Sequence, residues 1–186
     1  TASIIRQVCM ALDAAHEESV VHRDLKPENI FLCARRGGGV AVKVMDFGVS
    51  KVLSSDSVVT AHSTLLGTPW YMAPEQAEGK VDKMDHRTDL FSVGLILYHM
   101  LSGKMPFDGD NVPAILFQVV YSTPEPIGEV MPDLPKPVQE IITKAVSKEM
   151  EERYQSAEAL VKALEEALGD QWKEVLIHEV GTEVTG

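Results

Sequence analysis

Cysteine is scarce in this 186-residue sequence: Cys9 and Cys33 are the two, each in an apolar context with no Cys or His at metal-ligand spacing. The pair reads as two buried free thiols in a reducing compartment rather than as a disulfide framework. Positive charge is scarce as well. There are 17 Lys and Arg against 28 Asp and Glu, a formal net charge of −11, which removes the electrostatic basis for gripping a phosphate backbone, so nucleic acid is not an expected partner. Long apolar runs are also missing. The most apolar stretch, Leu90 to Leu101, is interrupted by Ser92, Gly94 and His99 and is too short to span a bilayer. No basic patch followed by an apolar core opens the chain, so nothing directs export and the cytoplasm is the expected location.

What is present suffices for one compact domain, since 45% of the residues are hydrophobic. Ile4, Val8, Ala11, Leu12 and Ala15 recur at three- and four-residue intervals and predict an amphipathic helix over 3–17 with Ser3 as its cap. Residues 30–33 and 40–45 are short, apolar and β-branched, separated by Arg35, Arg36 and Gly37 to Gly39, which predicts a small hairpin. Those glycines are turn punctuation and not a phosphate cradle, because no helix follows them. Residues 50–68 are rich in Ser and Thr without a period, and a loop of that length is usually functional or disordered. A nearly all-apolar helix over 88–101 reads as central and buried, and further helices are expected at 113–121, 137–147 and 157–168, the last capped by Ser156. The fold class is therefore mainly α with a small β-hairpin. Residues 169–186, with Trp172 and a weak alternation, read as a tail or linker. Thr1 is no initiator residue and the helical pattern starts almost at once, as though the chain were cut from something longer.

Residues 22–29 read His-Arg-Asp-Leu-Lys-Pro-Glu-Asn, Asp46-Phe47-Gly48 follows an apolar strand, and residues 67–75 read Gly-Thr-Pro-Trp-Tyr-Met-Ala-Pro-Glu. Together and in this order the three segments resemble the catalytic loop, the magnesium motif and the end of the activation segment of Hanks-type serine/threonine protein kinases. The resemblance runs over residues 1–168 and implies a protein-kinase-like fold of which only the carboxy-terminal lobe is here. The glycine-rich loop, the strand lysine and its glutamate partner would belong to an amino-terminal lobe that this stretch does not include.

Phosphoryl transfer asks a protein mainly to position groups and to neutralise charge. The resemblance implies Asp24 as the group that orients the attacking hydroxyl and takes its proton, Lys26 as the cation balancing the transferred phosphoryl group, and Asn29 with Asp46 as Mg²⁺ ligands. ATP and Mg²⁺ are the implied cofactors and a protein the implied substrate. Lys26, Glu28, Asn29, Phe31 and Asp46 form the implied nucleotide-contacting set, Phe31 beneath the adenine. In some kinases the position of Glu28 meets a basic residue of the substrate. Lys26 and Thr68 resemble the serine/threonine branch, where Thr68 would bridge Asp24 and Lys26. Glu75 and Arg153 match a buried ion pair anchoring the activation segment, and Asp89 matches the aspartate that holds the catalytic-loop backbone and underlies a stack through His22 and Phe47. Arg23 and Lys51 match contacts to an activation-segment phosphate, with Thr64, then Thr60 and Ser63, as acceptors.

Two other readings are weighed against this one. A pseudokinase-type scaffold is opposed by the intact Asp24, Lys26, Asn29 and Asp46, and a small-molecule kinase by the Ala-Pro-Glu segment. A missing amino-terminal lobe would leave apolar groups near Phe31, His22 and Phe47 exposed.

Overall fold

A computed structural model describes residues 1–34, 39–47 and 69–169. Seven helices and one two-stranded antiparallel sheet make up the regular structure among them. Helix α1 (Ala2–Glu17) buries Ile4, Val8 and Leu12 of the expected stripe together with Ile5 and Cys9, while Ala11 and Ala15 are half-buried. Its cap position falls on Thr1, and Ser3 lies inside the first turn rather than at the expected cap. Strands β1 (Ile30–Ala34) and β2 (Val40–Val44) pair in the register Ile30 to Val44 and Ala34 to Val40. The outer edge of β2 is covered by a side chain of α1: Gln7 Nε2 donates to Val40 O at 3.2 Å and its Oε1 accepts from Val42 N at 3.1 Å. An edge strand's unpaired groups are thereby satisfied without a third strand.

The remaining helices are α2 (Pro74–Ala77), α3 (His86–Ser102), α4 (Val112–Tyr121), α5 (Ile127–Val130), α6 (Lys136–Ala145) and α7 (Ala157–Leu168). Helix α3 is buried from Thr88 to Tyr98, nearly all round, and forms the axis of the domain with α1 and α6 packed against it. It begins two residues before the expected start at 88, because Asp85 caps it by accepting from Arg87 N at 2.8 Å. It ends at Gly103, whose φ of 68° is a left-handed cap that a Cβ would strain. Asn111 and Ser156 cap α4 and α7 in the same manner, accepting at 3.0 Å from Ala114 N and Ala159 N. Helix α7 lies against both α1 and α6, closing the bundle.

Cys9 is buried, and burial with the nearby Asp13 charge pushes its thiol up to about 12. Cys33 is only half-buried, in a strand with no buried residue on either face, and this corrects the expectation of two buried thiols. No helix among the described residues is long and apolar enough to cross a membrane. The expected Ser- and Thr-rich loop, the Arg35 to Gly38 turn and the 170–186 tail lie outside the described residues.

Candidate active site

The 22–29 loop leaves α1 through a short coil and ends in a 3-10 turn, Pro27–Asn29, whose proline sits at the first position where its missing N–H matters least. That turn holds Asn29 buried beneath the loop. Asn29 Nδ2 donates to Asp24 O at 2.8 Å, and Lys26 Nζ meets Asp24 Oδ2 at 2.8 Å. The Asp24 side chain is about half exposed, at 48%, so its carboxylate faces solvent rather than the core. Asp46 joins the group through the backbone: Met45 N donates to Asn29 O at 2.9 Å, extending the β1–β2 ladder and setting Asp46 beside Asn29. Asp46 itself adopts a φ of 62°, a left-handed conformation uncommon outside glycine and tolerated by aspartate.

The loop rests on Asp89, fully buried in the first turn of α3. Its Oδ1 accepts from Arg23 N at 2.9 Å, and its Oδ2 from His22 N at 2.9 Å and from the His16 ring at 2.8 Å. A buried carboxylate is tolerated only when such donors replace water. His22 is likewise buried, packed in the stack that the resemblance implies, and its ring contacts that of half-buried Phe47 at 4.8 Å. Its tautomer follows from its partners. Met45 O at 2.8 Å can only accept from Nε2, and Asp24 N at 3.3 Å can only donate to Nδ1. Both nitrogens of a neutral ring are thus occupied, leaving no free site for shuttling a proton.

Glu75 of α2 and Arg153 form a bidentate pair, with both N–O distances 2.9 Å and both residues buried. Thr88 Oγ1 donates to the same carboxylate at 2.7 Å. Burial alone would raise the Glu75 carboxyl, but the Arg153 bonds and charge, aided by Thr88, reverse this and hold it below the ordinary carboxylate value.

A shallow crevice beside Asp24 is lined by Arg23, Leu25, Lys26, Tyr71, Met72 and Gln76. Burial, with the Glu28 charge, pushes the Tyr71 phenol up to about 12, so it stays neutral there and bonds His99 at 2.8 Å. A larger hollow of about 380 Å³ on the outer face of α6 carries none of these residues. Phe31 is exposed at 53%, with Leu32 and Met45 beside it, and Glu28 is exposed as well. Arg23 Nε is buried with no hydrogen-bond partner among the described residues. Lys51, Thr60, Ser63, Thr64 and Thr68 lie outside the described residues.

Two residues that sequence reasoning did not single out belong to this framework. His16 was one more residue of an amphipathic helix, and its bond to Asp89 spans 73 residues. Gln76 stands at the third position of α2, where a Gln reaching back to a cap is a recognisable signal, but the cap here is Ala73 and the signal is halved.

The donor set suits a hard divalent cation. With the Asn29 amide nitrogen spent on Asp24 O, its amide oxygen remains, and Asp46 adds a carboxylate, the oxygen ligands that Mg²⁺ takes alongside water and phosphate. No cluster of three or more His, Cys, Asp or Glu able to hold a metal occurs among the described residues. The family model for the protein kinase domain matches residues 1–165. This chain belongs to the protein kinase domain family. Serine/threonine-protein kinase Pkn1 of Myxococcus xanthus is 41% identical over 168 residues, covering 90% of this chain and 24% of that protein. Serine/threonine-protein kinase PknB of Mycobacterium leprae is 37% identical over 154 residues, 83% of this chain and 24% of that protein. The pkn3 kinase of Myxococcus xanthus is 40% identical over 167 residues, 87% and 30% respectively. The chain therefore spans about a quarter of the length of the curated relatives it matches.

Proposed function

We propose that this chain is the substrate-binding, carboxy-terminal lobe of a serine/threonine protein kinase that moves the γ-phosphoryl group of ATP to a protein hydroxyl. The observation that carries the reading is the gathering of Asp24, Lys26 and Asn29 on one loop, with Met45, the residue before Asp46, bonded to Asn29. Asp24 orients the substrate hydroxyl and takes its proton as the new P–O bond forms and the bond to the departing ADP oxygen breaks. Lys26 offsets charge on the transferred group. Asn29 and Asp46 would hold Mg²⁺, which when bound neutralises the nucleotide phosphates. Phe31 offers an exposed apolar surface for the adenine, and Glu28 an acidic one for a basic substrate residue. Serine/threonine preference is supported by Lys26, by Thr68 and by the names of the relatives. Arg23 and Lys51 would receive a phosphate on Thr64, Thr60 or Ser63, which suits an Arg23 Nε that is buried and has no hydrogen-bond partner among the described residues. The lobe that covers ATP would come from a segment upstream, so residues 1–186 alone would not turn over, and a cytoplasmic site would supply the ATP.

The test compares Asp24→Asn and Asp46→Asn in the full-length protein that carries this chain, with Mg-ATP affinity by calorimetry beside turnover. Asp24→Asn should keep nucleotide affinity while the rate falls by orders of magnitude, and Asp46→Asn should lose both. Loss of Mg-ATP binding by Asp24→Asn with retention by Asp46→Asn would overturn the roles.

A further inference from the structure

Arg23, the residue before Asp24, has a φ of 64°. A bulky non-glycine residue held there stores about 1–3 kcal/mol of strain and stays only where its surroundings over-determine it. Two side chains do so. On one side, Arg23 N donates to Asp89 Oδ1 at 2.9 Å. On the other, Arg23 O accepts from Gln76 Nε2 at 2.6 Å. The amide of Gln76 is used at both ends, since its Oε1 accepts from Ala73 N at 3.0 Å. A carbonyl must face a donor and a backbone N–H an acceptor, so this network fixes which amide atom is which. The brace also stands on firm ground: Ala73 is fully buried, and Glu75, one residue before Gln76, is locked by Arg153 and Thr88.

We propose that Gln76 is a positioning residue for phosphoryl transfer, clamping the Arg23 carbonyl to the first turn of α2 and thereby aiming the Asp24 carboxylate. The proposal rests on the reading of Asp24 as the proton acceptor. Asp24 is the next residue in the chain, so a rotation of the Arg23–Asp24 peptide swings its side chain directly. Gln76 lines the same crevice as Asp24. It makes the orientation of the 22–29 loop depend on the place of the Ala-Pro-Glu segment, two parts of the chain 53 residues apart.

The test uses Gln76→Glu and Gln76→Leu in the full-length protein. Gln76→Glu is isosteric and keeps an acceptor for Ala73 N, but puts a carboxylate oxygen against Arg23 O; Gln76→Leu loses both bonds. Both should lower kcat by about 10–100-fold, as a misplacement of an ångström does, while Mg-ATP affinity stays within about twofold of wild type. Wild-type turnover by Gln76→Glu beside a loss in Gln76→Leu would assign the effect to the Ala73 bond and overturn the proposal. So would wild-type turnover by both, a Gln76→Glu protein that does not fold, or a fall in nucleotide affinity matching the fall in rate. Asp24→Asn measured in parallel separates the two claims: if it turns over normally, the reading of Asp24 fails whatever the Gln76 variants do.

Discussion

Asp89 is a fully buried carboxylate surrounded by three donors drawn from α1 and the 22–29 loop. Replacing it by asparagine preserves shape but turns an NH₂ group toward at least one of those donors. Asp89→Asn should therefore destabilise the fold by about 2–3 kcal/mol, read as a shift of the urea midpoint at unchanged slope, because charged hydrogen bonds are the costly ones to leave unmade. A midpoint within error of wild type would mean that the three bonds contribute little. The position of Asp89 was legible through the kinase resemblance. Its donors were less so. The His16 bond to Asp89 reaches 73 residues along the chain, as the Gln76 bond to Arg23 O reaches 53, and no local period encodes such a meeting.

At the scale of elements, helices of ten residues or more were legible because each carries several turns of apolar period, and their ends differ from the expected ones by at most two residues. Helices α2 and α5 were not, since four residues hold a single turn and no period. Close packing was also hidden. Gly94 interrupts the apolar run of α3, yet a Cβ placed there would lie 2.8 Å from Ala145 Cβ and from Val146 Cγ1, so the glycine is what lets α3 and α6 approach. Alanine is the better helix former by about 1 kcal/mol, but overpacking costs about 1–3 kcal/mol. Gly94→Ala should thus lower stability on balance, and a raised melting temperature would contradict this. The hairpin makes a different prediction. Phe31, Leu32, Val40 and Met45 are each at least 40% exposed, an apolar surface that in isolation invites contact. Residues 1–186 should self-associate with rising concentration in sedimentation, and Phe31→Ser with Leu32→Ser should weaken it.

Across the whole molecule, one contact does more than any other described here to join distant parts of the chain: Glu75 and Arg153 are 78 residues apart. All five guanidinium donors of Arg153 are used, two on Glu75 and the others on the carbonyls of Ser147, Lys148 and Arg87, while the Phe91 ring lies 4.8 Å from its central carbon. Such a cation cannot be hydrated once its partner is gone. Glu75→Gln should therefore cost about 3–5 kcal/mol at neutral pH. The pH dependence has a definite sign. The Glu75 carboxyl is held below its ordinary value of 4.5, so the folded state binds that proton less readily than the unfolded chain does. Its stabilisation is complete above that ordinary value and is lost as pH falls through the lower folded one. The variant has no such proton to gain. Urea denaturation of both proteins from pH 7 downward should show a gap that is constant near neutrality and narrows below about pH 4. A gap that stayed constant down to pH 3 would mean that the pair's charge contributes nothing, and that only the shape of the Glu75 side chain matters to the tie.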